Sequence, residues 1–359
     1  MPCFDVEMTP EGKYLLTPKE PSNSNLFNTA QFINQNLCYG FTALVEVFKY
    51  LSVKERAAAA KVCRLWREVS QHQSLWHHIS LKNTRIHDWA GFVQFFNNTK
   101  SQSLDMKKML FVKDRDQTWQ DIAEVAPDLS HLTRVELPRV SGPVLTEILT
   151  SWTSLESLAA PLITGPFDVT SLSHLTSLRE VKVKASTGSS IQVTSPLLPL
   201  TSLAPRLTHL SLLGLTGLQV QDYDVLGTMV HLQSLELGDC TSAPGCFFKT
   251  VSELSKLEKL RLEKGSVGVD FGKLSNAPKL SQVELIDFII KPGFREGLKP
   301  VKNIMKLLLI PRYEEEVARV NGEIVEGVTQ DMTQLTSFYL GVTNEWLETM
   351  GGSNKVRSE

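Results

Sequence analysis

Cysteine is scarce in this chain and follows no pattern. Cys3, Cys38, Cys63, Cys240 and Cys246 are scattered over 359 residues, which argues against a disulfide framework and for free thiols in a reducing compartment. Cys240 and Cys246 stand too far apart for a Cys-x-x-Cys clip and no His pair completes a zinc site, so neither metal nor cofactor is expected. No stretch approaches the roughly 18 uninterrupted apolar residues of a membrane span. The opening MPCFDVEMTPEGKYLLTPKEP carries acids and prolines where a signal peptide needs a basic start and an apolar run. A charge surplus is missing too: 37 Lys and Arg face 39 Asp and Glu, a net charge of −2, which excludes the basic excess of a protein that neutralises phosphates. The expectation is a soluble chain of the cytoplasm or nucleus without membrane or nucleic-acid partners, in which the acceptor sequence Asn97-Asn98-Thr99 is coincidental.

Catalytic signatures are absent as well. There is no Gly-x-Ser-x-Gly elbow and no His-Glu-x-x-His. The segment from Gly268 to Gly272-Lys273-Leu274 has a phosphate-loop look, but a Walker motif needs Gly where Val267 stands and Ser or Thr where Leu274 stands. A turn between repeats explains it better. Histidines such as His131 and His231 lie just before the first leucines of a recurring motif, where a strand-edge position accounts for them. The chain is therefore expected not to be an enzyme.

What is there is a repeat. The pattern L-x-x-L-x-L begins at Leu132, Leu155, Leu178, Leu207, Leu232, Leu257, Leu280, Ile304 and Leu335, with a mean step of about 25 residues, inside the 20–29 window of leucine-rich repeats. Weaker copies begin at Met106 and Trp76. Residues four and six alternate with polar neighbours, the period-two signature of a short strand with one buried face. One unit cannot bury its leucines alone, and stacking the next unit completes the core. The spacing predicts an α/β solenoid, a leucine-rich-repeat horseshoe over residues 81–345, with 346–359 as a C-terminal cap or tail. Helical or irregular returns such as 144–149 connect the strands. Longer steps, 29 residues from 178 and 31 from 304, predict insertions on the return side; the second contains Tyr313-Glu314-Glu315-Glu316, read as a solvated helix start. Only Cys240 stands where the repeat consensus places Asn or Cys, and it reads as a small buried turn residue. The lack of others predicts irregular turns.

The third and fifth residues of each strand point away from the core onto the concave face. They are Arg134 and Glu136, Ser157 and Ala159, Glu180 and Lys182, His209 and Ser211, Ser234 and Glu236, Lys259 and Arg261, Gln282 and Glu284, Lys306 and Leu308, Ser337 and Tyr339. Such a mixed face favours a protein target over nucleic acid. The candidate target contacts are Arg134, Lys182, His209, Glu236, Arg261, Glu284 and Tyr339, with Arg261 and Tyr339 as anchors because Arg and Tyr are enriched among hot spots.

Before the repeats, residues 37–80 read as three short helices. Leu44, Val47, Phe48 and Leu51 fall at i, i+3, i+4 and i+7, one apolar face. Ser52 with Glu55 is a capping box opening a second helix, and Val62, Leu65, Trp66 and Val69 repeat the apolar spacing on a third. Residues 1–36 are an extension: Leu26, Phe27, Phe32 and Ile33 suit one short helix, and the first 25, rich in Pro, Asn and Ser, suit a mobile chain.

The run Leu44 to Leu51 (LVEVFKYL), then Val62-Cys63-Arg64-Leu65-Trp66-Arg67, then Ser74-Leu75-Trp76 resembles an F-box. With repeats following at once, the chain resembles the F-box/leucine-rich-repeat family over residues 37–345. The resemblance implies a non-catalytic substrate receptor of an SCF-type ubiquitin ligase: the box packs against the Skp adaptor, held on a cullin-RING core, and the repeats hold the protein to be ubiquitinated. Matched by position, the adaptor-facing or box-core residues are Leu44, Val47, Phe48, Leu51, Val62, Cys63, Trp66, Leu75 and Trp76. The family usually opens its box with Leu-Pro and two acidic residues, where this chain has Tyr39-Gly40 and Phe41-Thr42. A second reading therefore stays open, a Skp-binding or free scaffold that recruits no cullin, and behind it a GTPase regulator, for which no arginine or asparagine stands out.

Overall fold

Leucines spaced for short strands become a ladder of parallel strands. The computed structural model describes residues 4–8, 14–18, 40–112, 114–129, 131–186, 191–192, 197–313 and 317–341. The chain divides into two compact units, Met1–Leu75 and Trp76–Glu359.

In the first unit, β1 (Phe4–Met8) and β2 (Tyr14–Pro18) pair antiparallel. Composition alone predicts a mobile chain here; the structure differs, and the alternation of Phe4, Val6 and Met8 with acids is the period-two signal that accounts for it. The proposed helix around Leu26 to Ile33 lies outside the described residues. Three helices follow: α1 (residues 40–48), α2 (Val53–Ala59) and α3 (Arg64–Ser70). The capping box at the start of α2 is present in both directions: Ser52 N–H donates to Glu55 Oε2 at 2.7 Å, and Glu55 N–H donates to Ser52 Oγ at 3.4 Å. Cys63 caps α3, its sulfur accepting from Trp66 N–H at 3.5 Å.

The second unit carries, in chain order, β3 (His78–Ser80), α4 (Trp89–Asn98), β4 (Ser103–Asp105), α5 (Arg115–Val125), β5 (Arg134–Glu136), β6 (Val140–Ser141), α6 (Gly142–Leu149), β7 (Ser157–Thr164), β8 (Glu180–Ala185) and β9 (Ile191–Gln192). It continues with β10 (His209–Leu213), β11 (Leu215–Thr216), α7 (Val220–Gly227), β12 (Ser234–Leu237), α8 (Phe247–Ser252), β13 (Lys259–Glu263), β14 (Ser266–Val267), β15 (Gln282–Ile290), α9 (Phe294–Leu298), β16 (Lys306–Pro311), α10 (Val317–Asp331) and β17 (Ser337–Leu340). Among the described residues the main sheet has 13 strands, in the order β17-β16-β15-β13-β12-β10-β8-β7-β5-β4-β3 with β14 and β6 at its margin. Its ladder pairings are parallel. A parallel neighbour reached through a return segment, strand after strand in sequence order, is the topology of a leucine-rich-repeat solenoid.

The core confirms the reading of the motif. Fourth and sixth residues such as Val135, Leu137, Leu210, Leu212, Leu260 and Leu262 are buried, and so are first residues such as Leu132, Leu207 and Leu257. One copy is out of frame. The repeat expected to begin at Met106 begins at Ser101 instead, since its strand is Ser103–Asp105 and Leu104 is the residue paired with Ile79 and Val135. A serine can take the first, fully buried position because its N–H donates to Phe96 O at 3.0 Å and its hydroxyl bonds Thr99 Oγ1 at 2.7 Å. The weaker copy at Trp76 is in frame, with β3 over its third to fifth residues.

Turns lacking the consensus Asn are satisfied from another place. Asn303, just before its motif's first residue, donates through Nδ2 to Leu274 O, Ala277 O and Leu280 O at 3.1, 2.8 and 3.1 Å. Gln334 does the same one repeat later, to Val301 O and Ile304 O at 3.0 and 3.3 Å. Second-position hydroxyls of Thr133, Thr208, Ser281 and Thr336 reach back to the preceding repeat's backbone carbonyl. The insertion of the step from Ile304 contains α10, with Tyr313 OH donating to Asn321 Oδ1 at 2.7 Å. Glu314, Glu315 and Glu316 lie outside the described residues.

Candidate protein-binding surfaces

The short helices of the first unit sort their apolar residues by burial. Val45, Phe48, Ala59 and Val69 are buried, and Phe48 meets Trp66 edge to face at 5.4 Å between ring centroids. Arg56, itself buried, ties the end of α1: Nε donates to Phe48 O at 3.0 Å, Nη2 to Lys49 O at 3.2 Å, and Nη1 to Leu75 O. A cation at the C-terminal carbonyls of a helix satisfies acceptors that the helix leaves open. Burial holds the Arg56 guanidinium below its usual pKa range.

The nine residues matched by position fall into three groups. Phe48, Leu75 and Trp76 are buried, Trp76 against Phe95 with centroids 4.8 Å apart. Leu44, Leu51 and Trp66 are half-buried, while Val47, Val62 and Cys63 are exposed. Val47 and Phe48, neighbours on one predicted apolar face, thus part: one into the core, the other 57 % exposed. Two apolar residues outside that set are also exposed, Tyr50 at 91 % and Leu65. Apolar side chains thus stand in water at Val47 on α1, at Tyr50 just after it and at Val62 just before α3, the last 64 % exposed.

On the second unit the register brings the outward residues into two rows. One runs His78, Ser103, Arg134, Ser157, Glu180, His209, Ser234, Lys259, Gln282, Lys306, Ser337, and the other runs Ser80, Asp105, Glu136, Ala159, Lys182, Ser211, Glu236, Arg261, Glu284, Leu308, Tyr339. All seven candidate target contacts therefore share one face. Their states differ. Arg134 and Lys182 are exposed, and His209 is half-buried with Nδ1 3.0 Å from Thr208 Oγ1. Glu236, Arg261 and Glu284 belong to a closed ionic network: Lys259 Nζ lies 2.8 Å from Glu236 Oε1 and 3.5 Å from Glu284 Oε1, and Arg261 lies 2.6 Å from Glu263 Oε1 and 3.2 Å from Glu284 Oε2. Ser211 Oγ donates to Glu236 Oε2 at 2.8 Å and Gln282 Nε2 to Glu284 Oε1 at 2.6 Å.

The network shifts the titration of Glu236, Lys259 and Arg261. Burial, the largest single influence, pushes the Glu236 carboxyl up, but hydrogen bonds from Lys259 and Ser211 and the nearby cations together hold it below its usual range. Burial likewise opposes the charged forms of Lys259 and Arg261, and their carboxylate partners outweigh it, so both are raised. Of the two expected anchors, Arg261 is thus committed within the chain, and Tyr339 on β17 is 65 % exposed. Cys240 is buried, its thiol pushed up by desolvation, as a turn residue and not a nucleophile would be. Around Gly268 the backbone closes on Asp270, whose Oδ1 accepts from Gly268 N–H at 2.8 Å, an ordinary repeat turn. No helix among the described residues is long and apolar enough to cross a membrane.

Several solved structures resemble the chain at low identity. An internalin, inlF, of Listeria monocytogenes is 15 % identical, with 80 % of this chain and 86 % of that one covered and a TM-score of 0.48. Internalin C2 of the same organism is 21 % identical over 71 % of this chain and 90 % of that one, with a TM-score of 0.36. A leucine-rich-repeat protein of Leptospira interrogans is 14 % identical over 68 % and 73 %, with a TM-score of 0.35. No curated protein matches the chain's sequence. The ladder itself defines a leucine-rich-repeat protein. A family model described as F-box-like matches residues 42–82, a stretch that includes β3, so an F-box-like segment precedes the leucine-rich-repeat ladder.

Proposed function

We propose that this chain is the substrate-recognition subunit of an SCF-type ubiquitin ligase, a non-catalytic adaptor working in cytoplasm or nucleus. Its F-box-like segment docks on the Skp adaptor and so reaches a cullin-RING core, and its strand face holds the protein to be ubiquitinated. The observation that carries this reading is the F-box-like match at 42–82 with Val47, Tyr50, Val62, Cys63 and Leu65 turned to solvent on its helices and the turns between them. An isolated small helical domain gains nothing from exposing such residues unless a partner covers them. Phe48 and Trp76, though matched by position, are core, and their truncation tests folding more than docking.

Affinity purification of the tagged chain beside a Val47→Asp, Val62→Asp variant tests the reading. Skp and cullin come down with the parent and are lost from a variant that remains folded. A second reading, a Skp-binding scaffold without a cullin, draws support from Tyr39-Gly40 and Phe41-Thr42 standing where the family has Leu-Pro and two acids. It predicts Skp alone in the same experiment.

A further inference from the structure

The outward face of the ladder changes character at its C-terminal end. Ala159 aside, apolar side chains enter its two rows only at Leu308 and Tyr339, and these are register partners on adjacent strands. Ile310 lies two residues beyond Leu308 on the same face of β16, 42 % exposed, and it pairs in register with Ile286. Ile286, Leu308, Ile310 and Tyr339 thus form one continuous apolar patch across β15, β16 and β17. Next to it, Glu284 is the register partner of Leu308, and from Glu284 back to Glu236 every charge is met by an opposite one. That strip offers a partner little, since an incoming charge would have to displace an existing pair. Two residues before Leu308 on the same face of β16 stands Lys306, exposed and, among the described residues, without an ion-pair partner.

We propose that this patch is the target-docking site, and that it takes a segment of the target in which a bulky apolar side chain, preferably aromatic, stands beside a carboxylate. The apolar group covers Leu308, Ile310 and Tyr339, and the carboxylate pairs with Lys306. Apolar anchors with an aromatic residue at their centre carry most of the affinity in protein recognition, and a flanking charge pair sets orientation. The proposal rests on the reading of the strand face as the target-binding surface; of the two expected anchors it keeps Tyr339, drops Arg261 and adds Leu308.

The test is a methyl-detected NMR titration of the full-length chain with an end-blocked hexapeptide, Gly-Glu-Trp-Glu-Gly-Ser, beside versions with Trp replaced by Ala and Glu by Gln. The expected result is saturable shifts at the methyls of Ile286, Leu308 and Ile310 with a Kd of about 1 mM, lost with the Ala peptide and weakened with the Gln peptide. Tyr339→Ala weakens binding about tenfold, and Lys306→Gln removes the preference for Glu over Gln while leaving the dependence on Trp. Absence of shifts, shifts confined to other methyls, or equal response to the Ala peptide overturns the proposal. If Trp346→Ser alone moves those methyls without any peptide, the chain's own C-terminal segment is the occupant, which also overturns it. Tyr50→Ser, which should impair Skp capture, leaves the titration unchanged, so the docking site and the ligase reading fail separately.

Discussion

Arg56 Nε donates to the backbone carbonyl of Phe48 at 3.0 Å, joining the second helix of the box to the end of the first. The same guanidinium serves Lys49 O and Leu75 O, so one side chain closes three acceptors. Removing it takes this donor from all three, although Phe48 O still accepts from Leu51 N–H at 3.1 Å, and each charged hydrogen bond of this kind is worth about 1.5–3 kcal/mol.

Arg56→Ala is therefore expected to destabilise the box by about 3 kcal/mol or more, read as a lower denaturation midpoint. Arg56→Lys recovers only part of this, because an ammonium lacks the planar fork that reaches several carbonyls at once. Equal stability of Arg56→Ala and the parent would show that these bonds do not hold the helices.

The ionic strip gives a pH dependence of known sign. The folded-state pKa of Glu236 lies below its ordinary value of 4.5, so its stabilisation is present above that value and is lost as pH falls through the folded pKa. Lys259 is raised above 10.5, so its contribution is complete below that value and lost as pH rises through the folded pKa. Glu236→Gln should flatten the acid limb of a plot of Tm against pH, with a cost near neutrality of about 1 kcal/mol. An unchanged acid limb would remove Glu236 from the account.

Thiol reactivity separates the described cysteines. Cys63 and Cys246 are exposed and Cys240 is buried, with burial holding its thiol protonated. Brief alkylation of the native chain, followed by peptide mass mapping, should mark Cys63 and Cys246 and leave Cys240 free until denaturant is added. Early modification of Cys240 would mean that the turn between β12 and β13 opens readily.

Gly238 marks a close approach of two turns. A Cβ built there would lie 2.2 Å from the Gly214 backbone nitrogen, and Gly238 N–H donates to Leu212 O at 2.8 Å. Gly238→Ala must push neighbouring repeats apart and should cost about 2 kcal/mol or more, measured by urea denaturation. A neutral effect would contradict the tight stacking at that turn.

The repeat was legible because every strand needs large apolar residues at fixed offsets, and that need is written into Leu210, Leu235 and Leu260 in the same way. It failed at Ser101, where a hydrogen-bonded serine does a leucine's work and Met106 mimics a start. The three helices were legible from the spacing of Leu44 to Leu51 and from Ser52 with Glu55. Which apolar residues there face water was not, because periodicity gives a face but not what covers it: Val47 and Phe48 obey the same spacing and end in opposite environments. Arg56 left no pattern, since its three carbonyl partners come together only in the folded unit. Arg261 and Tyr339 looked alike as anchors until the register placed Glu284 and Glu263 around the first and left the second in water.

The most direct test of the central claim is a binding titration of the purified full-length chain with purified Skp adaptor, beside Val47→Asp, Val62→Asp. A one-to-one complex that the variant loses, while its circular dichroism spectrum and melting remain those of the parent, is the predicted result. No complex with the folded parent, or undiminished binding by the folded variant, would contradict the assignment of this surface to the adaptor.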